Sequence, residues 1–238
     1  MIFPLNAIGP RALEGIVTRA EHHSDRGVEG LTAFANVFIE AHRRNPGCLS
    51  VEVGTRSGGS ALMFLQLLKS MYQEYPPCFF TVDPYGFKPY NGGDVSGAPL
   101  YGDLHYLEMK KNLSEFSNHV HFQMKSTDFF SRMRGLEYWR PGAFTAPVMN
   151  VSDMTTVYVP VGEARKAGNL AFCLLDGEHD LSTVDAELGR LFGGWMAKDG
   201  LVIVDNVDTD PKVRPMLEKW MRAEFSDNGQ WAVVLGIR

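Results

Sequence analysis

The stretch FCLLDGEHD, residues 172–180, ends an apolar run with Asp176, Glu178, His179 and Asp180 crowded into five positions. Carboxylates this close repel one another unless solvent surrounds them or something positive sits among them. A second acid, followed by an amide, closes the apolar run GLVIVDN (200–206) as Asp205-Asn206, and Asp83 closes CFFTVD (78–83). Asp176, Asp205 and Asn206 together offer hard oxygen ligands, suited to Mg²⁺, Mn²⁺ or Ca²⁺ rather than to a thiophilic metal. His179 titrates near neutrality and can take a proton from a hydroxyl, with Glu178 beside it as a second candidate base. A cation close by would lower the hydroxyl's own pKa and orient it. Structural readings compete with these. Asp180 or Ser182 suits the N-cap of the next helix. Asp185 and Glu187 suit a helix surface or structural pairing, and Asp208 and Asp210 suit a turn and helix start.

Such residues work together only if the chain brings the strand ends to one place. Short apolar runs at 48–54, 78–83, 119–124, 170–176, 200–206 and 231–237 alternate with helical patterns at 30–45, 60–75, 104–116, 127–136, 181–195 and 212–225. Strands apolar on both faces, alternating with helices, specify an α/β fold with a mostly parallel, Rossmann-like sheet covered on both sides. Ligands then bind beyond the carboxyl ends of the strands, so Asp83, Asp176 and Asp205 look into one crevice. Residues 1–29 read as a polar N-terminal extension with one short helix around 11–21, and 30–238 as a single domain with an insertion at 137–168. Only one convincing strand follows residue 225, and TTVYVPV (155–161) is the candidate for a further strand. The loop at 83–93, with Tyr85, Phe87 and Tyr90, suits a lid. Trp139, Phe144 and Tyr158 either shape an acceptor pocket or cover the sheet. His105, His119 and His121 read as sheet packing, and His22-His23 as surface.

Composition narrows the classes. At 238 residues, 45% hydrophobic and 21% charged, the chain is ordinary globular material for one large domain. A net charge of −5 argues against a nucleic-acid partner. No apolar run reaches the length of a membrane span, and the first residues lack the pattern of a signal peptide. Cys48, Cys78 and Cys173 read as buried free thiols in a reducing cytoplasm. A homo-oligomer is left open.

VEVGTRSGGS (51–60) runs strand, glycine turn, helix. Its G-x-x-x-G spacing is neither the dinucleotide fingerprint nor a phosphate loop, which disfavours a nicotinamide oxidoreductase. Gly54 and Gly58 let the backbone approach a ligand, and the helix start offers free amides. Asp83, at the end of the next strand, is placed to accept both hydroxyls of a ribose.

These motifs resemble those of class I S-adenosylmethionine-dependent methyltransferases, with VEVGTRSGGS as the first motif and TVDPYG as the second-strand acid and its loop. The resemblance spans about residues 30–238. It is nearest in kind to the macrocin-type group of sugar and natural-product O-methyltransferases, in which DGxH and an aspartate pair mark a divalent metal site. It implies that Gly54, Thr55, Gly58 and Ser60 line the methionine portion, that Glu52 helps hold the amino group, and that Asp83 binds the ribose. Ser126 and Asp128 would lie near the adenine, and Asp176 beside the cofactor as well as the metal. In catechol O-methyltransferase-like enzymes a lysine three positions beyond the first Asp removes the substrate proton; here that position holds His179.

The function implied is methyl transfer from S-adenosylmethionine to a hydroxyl of a small-molecule acceptor (a sugar, polyol or phenolic metabolite), assisted by Mg²⁺ or a similar ion. A metal-independent methyltransferase and a non-catalytic cofactor-binding module are the alternatives.

Overall fold

The computed structural model describes residues 5–74, 76–85, 102–132, 144–149, 156–161, 170–208, 210–220 and 222–235. Apolar runs form strands where the sequence places them: β1 (Leu49–Val53), β2 (Phe79–Val82), β3 (His119–Phe122), β6 (Leu170–Leu175) and β7 (Met196–Val204). Helices alternate with them: α1 (Pro10–Glu21), α2 (Val28–Arg44), α3 (Gly59–Tyr72), α4 (Asp103–Leu113), α5 (Ser126–Arg132), α6 (Leu181–Arg190) and α7 (Val213–Trp220). Two further strands, β8 (Arg222–Phe225) and β9 (Ala232–Leu235), complete a seven-stranded sheet in the order β3-β2-β1-β6-β7-β9-β8. The first five strands are parallel; β9 runs antiparallel to both β7 and β8.

Two expectations need correction here. The stretch 212–225 is not one helix: α7 stops at Trp220, and Arg222–Phe225 turns back as the edge strand β8, paired to β9 from Arg222↔Leu235 to Phe225↔Ala232. Residues 155–161 do contain a strand, β5 (Thr156–Val161), but it pairs with β4 (Phe144–Met149) in a separate two-stranded sheet and contributes nothing to the main one. The rest of the 137–168 insertion, Trp139, Phe87 and Tyr90 lie outside the described residues, as do the side chains of Phe144 and Tyr158.

Helices cover both faces. One apolar layer joins the sheet to α5, α6 and α7 through Phe122, Phe129, Leu188 and Leu217. The other joins it to α1, α2 and α3 through Val17, Leu31, Phe38, Phe64 and Phe172. Phe38 contacts Phe64 and Phe172 at ring-centroid separations of 4.6 and 5.0 Å, so α2 and α3 are held on the sheet by interlocking aromatic rings. The extension at 1–29 carries α1, whose Val17 and Ala20 are buried in this layer. The thiols of Cys48, Cys78 and Cys173 are buried and unbridged. Among the described residues, no helix is long and apolar enough to cross a membrane.

Candidate active site

A crevice of about 1210 Å³ opens at the carboxyl ends of the central strands. Its floor is built by the turn after β1, because two backbone conditions are met there. Gly54 sits at φ +81°, where a side chain is strained, and an added Cβ would lie 1.8 Å from the carbonyl oxygen of Asp176. Gly58 sits at φ +83° as the N-cap of α3. The glycines therefore let the end of β1 lie directly against the end of β6, and aim the first turn of α3 at the cavity.

Asp83 fixes this turn. Its Oδ2 accepts from the backbone N–H groups of Thr55 at 3.0 Å and Arg56 at 3.2 Å, and its Oδ1 accepts from Tyr85 N–H at 3.0 Å. It is 3% exposed. Burial pushes its carboxyl up, and these three N–H groups oppose that shift. Tyr85 is buried, contacts Tyr106 and His121, and donates its hydroxyl to the Arg56 carbonyl. It braces the turn; the rest of the 83–93 loop, expected to suit a lid, lies outside the described residues. His119 and His121 share the Thr81 hydroxyl at 2.8 and 2.9 Å, which is the packing role read from their alternation.

The cofactor candidates divide into two sets. Gly54, Thr55, Ser60, Asp83, Ser126 and Asp176 line the crevice. Glu52, Gly58 and Asp128 do not. Glu52 is fully buried behind the turn, where its Oε1 accepts from the Ser60 hydroxyl and, among the described residues, its Oε2 has no partner. Burial pushes its carboxyl up to about 8. Asp128 belongs to the first turn of α5. Ser126 bonds to buried Glu187, itself raised to about 8 by burial, so Glu187 is the structural partner its sequence position suggested.

The acidic cluster separates by role. Asp180 caps α6, accepting from Ser182 N–H at 2.9 Å and Thr183 N–H at 3.2 Å. Asp210 starts α7 by accepting from Lys212 N–H at 2.9 Å. Asp176, Glu178, His179, Asp205 and Asn206 all line the crevice. The Asp176 and Asp205 carboxyls face each other. Burial, then the charge of Asp205, raises the pKa of Asp176, while the charge of Arg26 lowers it. Asp205 is 2% exposed; its Oδ2 contacts the Arg26 guanidinium, and among the described residues its Oδ1 has no donor apart from a proton held by Asp176. An orphaned carboxylate oxygen opposite a second carboxyl fits a divalent cation. Among the described residues, no three His, Cys, Asp or Glu side chains converge as a metal cluster. The fit rests on two acids and the Asn206 amide.

Asn206 adopts φ +51°, a left-handed conformation that Asn tolerates better than most residues. The turn brings its amide to His179, with Nδ2 and Nε2 3.1 Å apart. Burial lowers the His179 pKa, against the pull of Asp205 and Asp208, and so favours the neutral ring. Glu178 moves the other way, raised first by burial and then by Asp180.

The front wall was not legible in sequence. It consists of residues 23–34 at the start of α2 and the β8–β9 turn, including Phe225, Asn228, Gln230 and Trp231. The Phe34 and Trp231 rings meet edge to face at 5.5 Å, joining the two parts of that wall.

No protein-family model and no curated protein matches the chain in sequence. Solved structures do match in fold. The O-methyltransferase NovP aligns with a TM-score of 0.58 at 14% identity, over 91% of this chain and 83% of that one. CalS11, a calicheamicin methyltransferase, gives 0.57 at 14% identity over 97% and 95%. MycE, a methyltransferase of the mycinamycin pathway in complex with Mg, SAH and mycinamycin VI, gives 0.54 at 13% identity, over 95% of this chain and 53% of that one. The chain thus has the Rossmann-like fold of these methyltransferases.

Proposed function

We propose that this protein is an S-adenosylmethionine-dependent O-methyltransferase acting on a hydroxyl of a small-molecule acceptor, with a divalent cation at Asp176, Asp205 and Asn206 and with His179 as base. One observation carries the reading: the glycine turn clamped by Asp83 and the Asp176–Asp205–Asn206–His179 group open into the same crevice. The fold shared with NovP, CalS11 and MycE supports it.

Bound S-adenosylmethionine supplies an electrophilic methyl group, and a bound cation acidifies and orients the hydroxyl that receives it. Gly54, Thr55 and Ser60, the last backed by Glu52, form the wall for the methionine portion. Asp83 keeps lone pairs beyond those given to the turn and accepts from the ribose hydroxyls. Ser126 marks the adenine end, with Asp128 behind it. On the acceptor side, the base role requires a particular tautomer. In the structure Asn206 Nδ2 faces His179 Nε2 at 3.1 Å; with the amide turned over about its Cβ–Cγ bond, its oxygen would accept from Nε2–H and Nδ1 would be left to take the hydroxyl proton. The second lone pair of that oxygen stays available to a cation. His179 thereby orients the amide, and the amide sets the tautomer of the ring. Glu178 would take the proton in its absence.

A metal-independent transferase is the second reading, favoured by the positive charge that Arg26 already supplies to Asp205. Single-turnover methyl transfer to a panel of hydroxylated acceptors, before and after exhaustive chelation, tests both. Transfer that stops on chelation and returns with Mg²⁺ or Mn²⁺ is the expected result. Full activity after chelation selects the metal-independent reading, and no binding of S-adenosylmethionine or its demethylated product removes both.

A further inference from the structure

Residues 22–27 join α1 to α2 and reach the rim of the crevice, where three contacts hold them. The carbonyl of His23 packs on Gly59 at the start of α3, so closely that an added Cβ would stand 2.6 Å from its oxygen. Asp25 pairs with Arg56 of the glycine turn. Arg26 reaches furthest: its guanidinium lies 4.4 Å from the Phe34 ring centroid and one of its nitrogens contacts Oδ2 of Asp205. From the crevice wall it touches the acid pair.

We propose that Arg26 is an internal counterion that competes with a divalent cation for the Asp176–Asp205 pair, so that binding of the ion and seating of residues 22–27 oppose each other. The inference rests on reading that pair as a cation site. Two facing acids, one of them only 2% exposed, need positive charge, and Arg26 provides one unit of it through Oδ2 of Asp205. An ion binding at the orphaned Oδ1 stands within a few ångströms of the guanidinium, where like charges repel strongly because little water screens them. Either Arg26 withdraws or the ion binds weakly. Withdrawal disturbs the whole segment, since the Asp25–Arg56 pair and the His23–Gly59 contact lie on neighbouring residues. Lysine is not equivalent, because it lacks the planar face that lies on Phe34 and the fork that meets the carboxylate.

The test is Mn²⁺ titration of the cofactor-free protein by calorimetry, on wild type, Arg26→Gln, Arg26→Lys and the double variant Arg26→Gln/Asp205→Asn. Arg26→Gln should bind Mn²⁺ about tenfold more tightly than wild type, the size expected for removing one close like charge. Arg26→Lys should fall between the two, and the double variant should lose the gain. Hydrogen exchange at residues 23–26 of the wild type should quicken when Mn²⁺ is added. Equal or weaker binding in Arg26→Gln, or no Mn²⁺ binding by either protein, overturns the proposal, as does exchange that slows. Binding of S-adenosylmethionine is measured separately. Cofactor binding and transfer without any Mn²⁺ site sink the counterion and keep the transferase; tighter Mn²⁺ binding in Arg26→Gln without cofactor binding does the reverse.

Discussion

Replacing Asp83 should reveal two separable losses. In Asp83→Ala the N–H groups of Thr55, Arg56 and Tyr85 lose their acceptor, in a place only 3% exposed where water cannot replace it. Hydrogen bonds to a charged acceptor contribute about 1.5–3 kcal/mol each, and three that share one group lose less than their sum. A cost of roughly 3–6 kcal/mol is therefore expected, a large part of the ~5–15 kcal/mol that keeps a domain folded. Asp83→Asn is the cleaner probe. Its single carbonyl oxygen can serve Thr55 and Arg56, where two of the bonds converge on Oδ2, while its NH₂ faces the Tyr85 N–H. That substitution should cost ~1–3 kcal/mol and leave the protein folded. Urea unfolding at unchanged slope reads the stability term, and calorimetry with S-adenosylmethionine on the folded Asn variant reads the ribose term. An Ala variant within ~1 kcal/mol of wild type would show that the carboxylate does not hold the turn. An Asn variant that binds cofactor like wild type would remove Asp83 from the ribose site.

Three further expectations follow from the same geometry. His179→Ala or His179→Gln should slow the chemical step by ~10²–10⁴-fold with nearly unchanged cofactor affinity; a variant keeping its single-turnover rate and pH profile would pass the base role to Glu178. Gly54→Ala should destabilise the fold by more than ~3 kcal/mol and abolish cofactor binding, because its Cβ meets the Asp176 carbonyl oxygen at 1.8 Å; thermal unfolding that matches wild type contradicts the strand-end contact. Glu52 and Glu187, raised from 4.5 to about 8, favour the folded state as neutral acids. Their contribution is complete below pH ~4.5 and is lost as pH rises through about 8, so unfolding free energy should fall across that window, and Glu187→Gln should flatten the decline.

The sheet was readable where burial is complete. β1, β2 and β6 are buried along their whole length and β7 from Gly200 onward, and no helical period competes with these runs. β8 escaped because an edge strand of four residues, half exposed, keeps the helical spacing of the segment before it. The site divides in the same way. Acids at strand ends were legible because topology alone carries Asp83, Asp176 and Asp205 to one edge. Contacts between distant residues were not: Arg26 meets Asp205 across 179 positions, and His179 meets Asn206 across 27. Glu52 shows the limit of a motif. Its position beside the glycine turn was evident, but alternation along β1 cannot say whether a carboxylate at a strand end looks into the crevice or behind it.

The crowding in DGEHD is tolerable because its members do not share one environment. Asp180 is spent on two backbone N–H groups at the start of α6, and Glu178 stands on the partly exposed rim. Asp176 faces the buried carboxyl of Asp205, which reaches that position from another strand. Two charges so placed would drive the strand ends apart if both were bare. The raised pKa of Asp176 and the guanidinium of Arg26, carried on the loop between α1 and α2, offset that repulsion. A permanent internal pair, such as a lysine on β7, would bring the same neutrality but would close the crevice to any external ion. Neutralisation from the loop between α1 and α2 lets Asp205 stay buried and, among the described residues, leaves its Oδ1 facing Asp176 with no other partner.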